Sequence, residues 1–390
     1  MRQQVGTFLL ELLKSSRQGE IVNMTPRCER LGVDVVGQLA FCYPLNTQID
    51  PTHRVIVEGI NTRSDRSSLY YLWPRLRFLE PLFNTVEGKH KLEGFYKFVM
   101  AMIVARMALP KDAKHDFYAL ASGEIGPGEA GLVSKDLWAE AVFFIAAGTT
   151  PRIINWRGFC FFFSFPLDLY YAGVFLFPFF KGKHHLDGHE RHTFLSLPIS
   201  QRLRSSSVRD QDDVQLRARD PTGPNTEQLQ SFIVDGHVIS PGTQVGVSQY
   251  TLPRNGHYFP EPFEFKPERW LAPDPEEDAN ALPETDAQRD ARTAMRRAFA
   301  PCLIGDRGCA GKSMAYLGLR LATAKTLWYL DFETAPGEAG KLGGGSPSST
   351  DGRNRYNEFQ LYDSIVVDHT LSGPNLVFTP RGDYCKELGI

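Results

Sequence analysis

The sequence lacks paired cysteines. Its six cysteines stand apart, at positions 28, 42, 160, 302, 309 and 385, and none forms a Cys-x-x-Cys pair. With 390 residues, the chain is too long for a small disulfide scaffold and long enough to bury a substantial core. We therefore expect a reducing, cytosol-facing environment in which at most one cysteine has a special task.

An excess of either charge sign is also lacking. The chain has 43 basic and 45 acidic residues, which gives a net charge of -2. This balance argues against a large field that would attract nucleic acid or another polyanion. Aromatic residues, in contrast, are abundant at 12% of the chain, and 27 of them are Phe. They fit an apolar ligand pocket, and they fit an aromatic core equally well.

A signal peptide is missing from the N-terminus, because Glu11 and Lys14 interrupt any apolar run. The apolar residues there follow helical spacing instead, and they are Val5, Phe8, Leu9, Leu12 and Leu13. The pattern predicts an amphipathic helix that is already under way at the initiator Met. Its core-facing stripe needs packing partners, which we expect upstream of the present start.

Composition divides the chain into three segments. Residues 1–150 are predicted to be mainly helical, with helices at 94–109 and 134–148 that end at Pro110 and Pro151. Residues 151–225 form an atypical segment, first apolar and then polar. Residues 226–390 return to an ordered pattern and are predicted to complete the same domain as residues 1–150.

The atypical segment contains the longest apolar run, at 159–180. Its length could span a hydrocarbon core of ~30 Å, but Pro166, Asp168 and Pro178 argue against a regular membrane helix. A cluster of histidines follows, at positions 184, 185, 189 and 192. No cysteine or carboxylate frame accompanies them, so we expect adventitious metal binding or none. Contact of residues 159–180 with a membrane stays open.

The last segment shows shorter elements. A hairpin is predicted at 232–239, with its turn at Asp235-Gly236, and a strand at 243–250. Residues 272–295 are charged and predict an exposed loop or a short surface helix. A helix is predicted after Gly308, with an apolar face made of Met314, Leu317, Leu321, Ala324 and Trp328. A strand pair is expected about residues 372–374.

The residues that indicate chemistry are Gly305-x-Arg307-x-Cys309-x-Gly311, directly before that helix. Backbone N–H groups and the dipole at a helix N-terminus stabilise a thiolate and lower its pKa. Gly305 permits a tight turn, Gly311 lets the backbone pass close to a flat macrocycle, and Arg307 can pair with a carboxylate such as a haem propionate. The bland alternative is that Cys309 is a small buried hydrophobe.

This segment resembles the cysteine loop of the cytochromes P450, and the resemblance is closest to fungal members. Further segments resemble the family in its order: 143–148 the central helix, 235–243 a strand and turn, 259–263 a connecting loop, and 265–270 (Phe-Lys-Pro-Glu-Arg-Trp) the meander. The resemblance covers roughly residues 1–150 and 230–390. It implies a mainly α fold with small β-sheets, incomplete in this chain, whose residues 226–390 bind haem.

The resemblance also implies a function. Cys309 would be the axial iron ligand of haem b, with Cys302, Gly305, Arg307, Ala310 and Gly311 around the cofactor. Thr149 and Thr150 would deliver protons, and Phe143, Phe144, Ile145, Ala146 and Ala147 would contact an apolar organic substrate. The reaction would insert one oxygen atom from O₂ into that substrate, with electrons from an NADPH-dependent reductase. Members of the family suggest the endoplasmic reticulum membrane, facing the cytosol, but the family's N-terminal anchor is absent.

The chain departs from the family at several positions. No Glu-x-x-Arg occurs anywhere, so Arg269 has lost its usual partners, and we expect it to face solvent or to find Asp or Glu substitutes. No acid precedes Thr149. Cys302 stands where the family has Phe, and it could compete with Cys309 as the ligand. Trp73-Pro-Arg-Leu-Arg77 imitates a family motif at the wrong place, and Pro74 would disturb its helix.

These departures leave two alternatives to the monooxygenase. The chain could be a non-catalytic or haem-free remnant of the family, because the Glu-x-x-Arg and proton-relay motifs are missing. It could also be a membrane-embedded protein organised by residues 159–180, which is the weaker hypothesis. Detection of a thiolate-ligated haem would separate the enzyme from the remnant, because the intact cysteine loop predicts such a haem.

Overall fold

The computed structural model describes part of the chain. The described residues are 1–79, 86–110, 113–114, 116–118, 141–142, 144–145, 216–217, 232–234, 236–239, 244–245, 252–264, 267–270, 283–300, 302, 309, 311–350, 354–356, 360 and 373–388. They belong to two compact units, one formed by residues 1–206 and 310–390 and the other by residues 207–309. The division of the chain into segments 1–150, 151–225 and 226–390 stays a prediction.

Helices dominate the described residues, and the strands form small antiparallel sheets. The α-helices are α1 (Arg2–Gln18), α2 (Met24–Phe41), α3 (Val55–Leu72), α4 (Val86–Met107), α5 (Asp286–Ala298) and α6 (Lys312–Tyr329). The strands are β1 (Val22–Asn23), β2 (Leu216–Arg217), β3 (Phe232–Val234), β4 (His237–Ile239), β5 (Gln244–Val245), β6 (Leu330–Thr334) and β7 (Asn375–Pro380). The predicted class, mainly α with small β-sheets, is confirmed.

Helix α1 confirms the amphipathic pattern at the N-terminus. All five predicted stripe residues are buried, and Gly19 ends the helix in the left-handed conformation with φ 66°. The stripe packs with Leu319, Leu330, Leu376 and Phe378 in one apolar cluster. The partners that we expected upstream are therefore provided by α6, β6 and β7 of the same chain.

The three-stranded sheet of this unit has the order β1-β7-β6. Strand β7 pairs with β6 from Leu330↔Pro380 to Thr334↔Leu376, and with β1 through Val22↔Leu376. We predicted a strand about residues 372–374, and β7 begins at the next residue. Its described partners lie far away in sequence, while residues 361–372, where a neighbouring strand would lie, are outside the described residues.

Helix α6 shows a buried face that differs from the predicted one. The buried residues are Leu319, Ala322, Thr323, Thr326 and Leu327, whereas Leu317 of the predicted face is 56% exposed. The reason is that α6 carries leucines on several sides, so apolar spacing alone does not select a face. Packing against α1 selects the side that carries Leu319, Ala322 and Leu327.

Helices α3 and α4 pack closely through two glycines. A Cβ on Gly59 would lie 2.4 Å from the Cβ of Phe95 and 3.0 Å from the carbonyl oxygen of Lys91. On the other helix, a Cβ on Gly94 would lie 2.9 Å from Val55 Cγ2. Phe95 is fully buried in this contact. The helix predicted at 94–109 is confirmed, and it begins earlier, at Val86.

We expect Gly59→Ala to destabilise the protein by about 1–3 kcal/mol, because the methyl group must push the backbones of α3 and α4 apart. Gly6→Ala is the matched control, since a Cβ there meets nothing within 4 Å. In a helix interior, that change should stabilise by up to about 1 kcal/mol. Urea unfolding of both variants measures the difference. Equal unfolding midpoints for the two variants would contradict the close crossing.

The second unit confirms the predicted hairpin. Strands β3 and β4 pair from Phe232↔Ile239 to Val234↔His237, and Gly236 takes the turn with φ 80°. Of the strand predicted at 243–250, the structure describes Gln244–Val245 as β5, which pairs with β2. The charged region predicted at 272–295 overlaps α5, which Thr285 and Gln288 cap reciprocally. Met295 is its buried residue, so α5 is a surface helix.

The membrane and metal hypotheses concern residues outside the described ones. Residues 159–180 and the histidines at 184–192 are not among the described residues. Among the helices that the structure does describe, none combines the length and the apolar composition needed to cross a bilayer. The described residues as a whole contain no group of three or more His, Cys, Asp or Glu side chains placed to hold a metal ion.

Candidate functional site

The cysteine loop brings Cys309 and Cys302 together. The N–H of Cys309 donates a hydrogen bond to the carbonyl oxygen of Cys302 at 2.8 Å. Cys309 is exposed and Cys302 is half-buried. Gly311 follows as the N-cap of α6, with φ -79° and ψ 0°, and the helix begins at Lys312. The sequence predicted that the helix starts after Gly308, whereas α6 begins at Lys312, so Cys309 lies three residues before the first helical residue.

The other described cysteines are poorer ligands. Cys28 and Cys385 are buried, and Cys385 donates its S–H to the carbonyl oxygen of Tyr329 at 2.8 Å. Burial raises the pKa of the Cys385 thiol, which keeps it protonated at neutral pH. Cys42 is half-buried at the C-cap of α2. Among the described cysteines, Cys309 is the exposed one, so the bland interpretation of Cys309 as a buried hydrophobe is wrong.

Several predicted site residues fall outside the described part of the chain. These are Thr149, Thr150, Gly305, Arg307 and Ala310. Their roles stay predictions from the sequence. What the structure adds at the cysteine loop is the backbone pairing of Cys309 with Cys302 and the position of Gly311 at the start of α6.

Arg269 of the meander segment binds backbone carbonyls. Its guanidinium donates to the carbonyl oxygens of Pro260 at 2.5 Å and of Glu261 and Glu264 at 3.2 Å. These described partners are backbone carbonyls, and the Asp or Glu substitutes that we expected stay a prediction. The turns of residues 259–264 point several carbonyls to one place, and Glu261 has φ 50° there. The Pro-Glu-Pro sequence of that segment was the signal for such turns.

Trp270 connects the meander to the chain that enters the cysteine loop. Its ring meets the Phe299 ring edge to face, with centroids 5.0 Å apart, and lies 6.4 Å from the ring of Phe259. Arg296, in the last turn of α5, donates to the carbonyl oxygen of Trp270 at 2.9 Å. Sequence reasoning missed the role of Phe299, which stands three residues before Cys302. The contacts anchor the chain just before the loop.

The predicted substrate-contact segment is only partly described. Ile145 is buried with Ala141 and Val142 in the cluster formed with α2, α3 and α4, and its contact with a substrate stays a prediction. Helical spacing explains the shared burial, because Ala141, Val142 and Ile145 share one face. Phe144 is 37% exposed and lies 6.0 Å from Phe117 between ring centroids. Residues 143, 146 and 147 are outside the described residues.

The Trp73 segment is a family motif in letters only. Helix α3 ends at Leu72, and residues Pro74–Leu79 form a 3-10 helix. Trp73 itself is 58% exposed. Pro74 thus prevents the Trp-x-x-x-Arg spacing from placing both side chains on one α-helical face, as expected.

Comparison with known proteins gives one family. The family model described as Cytochrome P450 matches residues 216–343. A cytochrome P450 monooxygenase of Gibberella zeae is 35% identical over 154 residues, which cover 40% of this chain and 31% of that protein. The cytochrome P450 monooxygenase AKT7 of Alternaria alternata is 28% identical over 369 residues, which cover 91% of this chain and 66% of that protein.

A solved structure agrees on the fold. The crystal structure of a cytochrome P450 (CYP102L1) matches with a TM-score of 0.63 at 16% sequence identity. The match covers 97% of this chain and 73% of that chain. At this identity, the similarity shows the fold alone. The chain spans less than two thirds of the length of the two curated relatives described above, at 31% and 66%.

Proposed function

We propose that the chain, which is similar to cytochromes P450, is a haem-thiolate monooxygenase that inserts one oxygen atom from O₂ into an apolar organic substrate. The observation that carries the proposal is the exposed thiol of Cys309, held by the backbone pairing with Cys302 ahead of α6. The fungal relatives named as monooxygenases support the class of reaction. The substrate itself is not specified by these residues.

The described residues fit a haem. A haem iron needs one axial protein donor, and a thiolate is the donor that favours cleavage of the O–O bond. Cys309 offers an exposed sulfur, while the thiols of Cys28 and Cys385 are buried. Gly311 heads the following helix without a side chain that could clash with a macrocycle. The donor set of the described residues therefore suits a single thiolate ligand.

Each predicted residue would have a distinct task. Cys309 would hold the iron of haem b, and Arg307 would pair with a propionate. Gly305, Ala310 and Gly311 would leave room for the flat ring, with Cys302 packed beside the ligand. Thr149 and Thr150 would hold a proton near the oxygen-binding side. When bound, the haem would supply the activation of O₂ and the oxidation of the substrate. An NADPH-dependent reductase would supply electrons.

A non-catalytic remnant remains the second candidate function. The sequence contains no Glu-x-x-Arg, and no acid stands before Thr149. Arg269, the meander residue that this missing motif would contact in the family, binds the carbonyls of the 259–264 turns. This arrangement gives the guanidinium local acceptors. Contact with a membrane through residues 159–180 would be compatible with either function.

The test uses the full chain, produced with an added haem supply, then reduced and treated with carbon monoxide. Thiolate-ligated haem should give a strongly red-shifted Soret band, with about one haem bound per chain. An unshifted band would mean that haem binds without the thiolate, and no bound haem at all would overturn the proposal. Turnover with a reductase then separates the enzyme from the remnant, because only the enzyme yields a product that is one oxygen atom heavier.

A further inference from the structure

We propose that Cys302 and Cys309 form a reversible disulfide in the haem-free chain, which makes the cysteine loop a redox-modification site. The pair is joined by the hydrogen bond from the Cys309 N–H to the Cys302 carbonyl oxygen, at 2.8 Å. Both residues carry thiols in this structure. The effect of the disulfide on haem loading rests on the proposed function, whereas its formation does not.

Covalent geometry limits how far apart the two residues can be. The Cα of Cys309 is bonded to the donor nitrogen, and the Cα of Cys302 is two bonds from the acceptor oxygen. Standard bond lengths and the 2.8 Å hydrogen bond therefore cap the Cα–Cα separation at about 6.7 Å. Disulfides occur at Cα–Cα separations of roughly 4.4–6.8 Å. The two residues thus lie within the range of Cα–Cα separations that a disulfide spans.

Access favours this pair over the buried thiols of Cys28 and Cys385. Cys309 is exposed and Cys302 is half-buried, so an oxidant in solution reaches Cys309 first. Cys28 and Cys385 are buried, and the S–H of Cys385 is hydrogen-bonded to Tyr329. An exposed thiol beside a second thiol is the usual arrangement of a redox-sensing cysteine with its resolving cysteine.

The oxidant is a peroxide. The Cys309 thiolate attacks one peroxide oxygen, which breaks the O–O bond and gives a sulfenic acid on Cys309 and hydroxide. The Cys302 thiol then attacks the sulfenic sulfur, the S–S bond forms, and the sulfenic oxygen leaves as water. In total, the two thiols lose two electrons and two protons, and hydrogen peroxide is reduced to two waters. A dithiol reverses the reaction by exchange.

The disulfide would have two effects on Cys309: it would prevent the sulfur from binding iron, and it would protect the sulfur from irreversible oxidation. While the S–S bond exists, Cys309 has no thiolate for an iron. The bond also stops oxidation at a reversible stage, because an isolated sulfenic acid proceeds to sulfinic acid, which thiols do not reduce. Cys302 stands where the family has Phe. A cysteine at this position has a function that Phe lacks, because its thiol resolves the oxidised Cys309.

The first test is a peptide map of the haem-free full chain after mild peroxide treatment. Trypsin cuts after Arg297, Arg307 and Lys312, so Cys302 and Cys309 fall in separate peptides, 298–307 and 308–312. We expect these two peptides to be joined as the main disulfide product of a monomeric chain, and to separate after dithiothreitol. Cys42→Ser is the control and should give the same linked pair. Linkage of Cys309 to Cys42, to other cysteines or to a second chain at comparable levels would overturn the proposal.

The second test follows haem loading. After peroxide, the wild-type chain should lose nearly all of its red-shifted band on reconstitution, and dithiothreitol should restore it. In Cys302→Ser, the same treatment should cause a loss that dithiothreitol restores only in small part, because Cys309 is over-oxidised. Equal recovery in the two proteins would contradict the resolving role. If the untreated, reduced chain never shows the band while the linked peptides form, the proposed function fails and the disulfide stands.

Discussion

Replacing Cys309 with serine is expected to abolish the red-shifted Soret band, whereas Cys302→Ser should keep the band at the same position. The serine oxygen is a harder donor that stays protonated at neutral pH, so it cannot provide the electron density of a thiolate. The structure distinguishes the two cysteines by exposure and by their part in the hydrogen bond. Cys309 is exposed and uses its N–H, while Cys302 is half-buried and contributes its carbonyl oxygen.

The backbone bond is retained in both variants, because it involves main-chain atoms only. Cys309→His provides the control for an intact haem cavity, since an imidazole binds haem iron and gives a band without the red shift. The ratio of shifted to unshifted carbon monoxide bands measures the result in all three variants. A shifted band that survives in Cys309→Ser and disappears in Cys302→Ser would assign the iron to Cys302.

The elements predicted correctly from the sequence are those that local patterns specify. The five stripe residues of α1 repeat at helical spacing and meet one buried cluster. The hairpin of β3 and β4 depends on Gly236, whose φ of 80° requires a residue that tolerates the left-handed region. In each case, the residues that decide the conformation are neighbours in the chain, so no knowledge of distant partners is needed.

The elements that were missed depend on distant partners. Strand β7 pairs with β1 at Val22↔Leu376, two residues that are more than 350 positions apart in the sequence. No turn signal could indicate a pairing over that separation. The buried face of α6 is chosen by α1 and the sheet, because the apolar residues of α6 surround the helix. The partners of Arg269 were missed for a related reason. They are backbone carbonyl oxygens, which every residue has, so no residue type in the sequence identifies them as acceptors.

The candidate site shows the same division. The role of Cys309 was predicted from its own loop, because the glycines and the arginine beside it stand at a spacing that suggests functions for them. The role of Phe299 came only with its contact to Trp270, at 5.0 Å between ring centroids. The task of Cys302 likewise became visible through its hydrogen bond to Cys309. The sequence had presented Cys302 as a competitor for the iron, and the geometry makes it the neighbour that can react with the ligand.

The largest effect on stability is expected from Asp116→Ala. Asp116 and Arg106 form an ion pair whose side chains are 0% and 1% exposed, with Nε–Oδ2 at 2.6 Å and a second hydrogen bond at 3.2 Å. Arg106 also donates to the carbonyl oxygen of Pro110 at 3.2 Å and lies over the ring of Tyr118. Removal of the carboxylate breaks this buried pair from one side and leaves the guanidinium buried, which costs about 3–5 kcal/mol.

The matched control is Glu338→Ala, which breaks the exposed pair of Glu338 with Lys341, where the side chains are 87% and 73% exposed. That change should alter the free energy of unfolding by no more than about 1 kcal/mol, because solvent screens the pair. Urea unfolding followed by circular dichroism compares the two variants with the parent chain. If Asp116→Ala and Glu338→Ala lowered the unfolding midpoint equally, the pair would not be buried in solution.

Removing both charges should cost less than removing one. In the double variant Arg106→Met and Asp116→Leu, no ion is left unpaired, and apolar side chains of similar size fill the space, so most of the loss should be recovered. Recovery should stay incomplete, because a thioether side chain cannot replace the guanidinium as donor to the Pro110 carbonyl or in its contact with the Tyr118 ring. A double variant as unstable as Asp116→Ala would show that the arginine's contacts, and not its uncompensated charge, set the cost. This ion pair thus joins the C-terminal end of α4 to the segment that carries Asp116. Its contribution to stability is best measured as the difference in unfolding free energy between the single and the double variant.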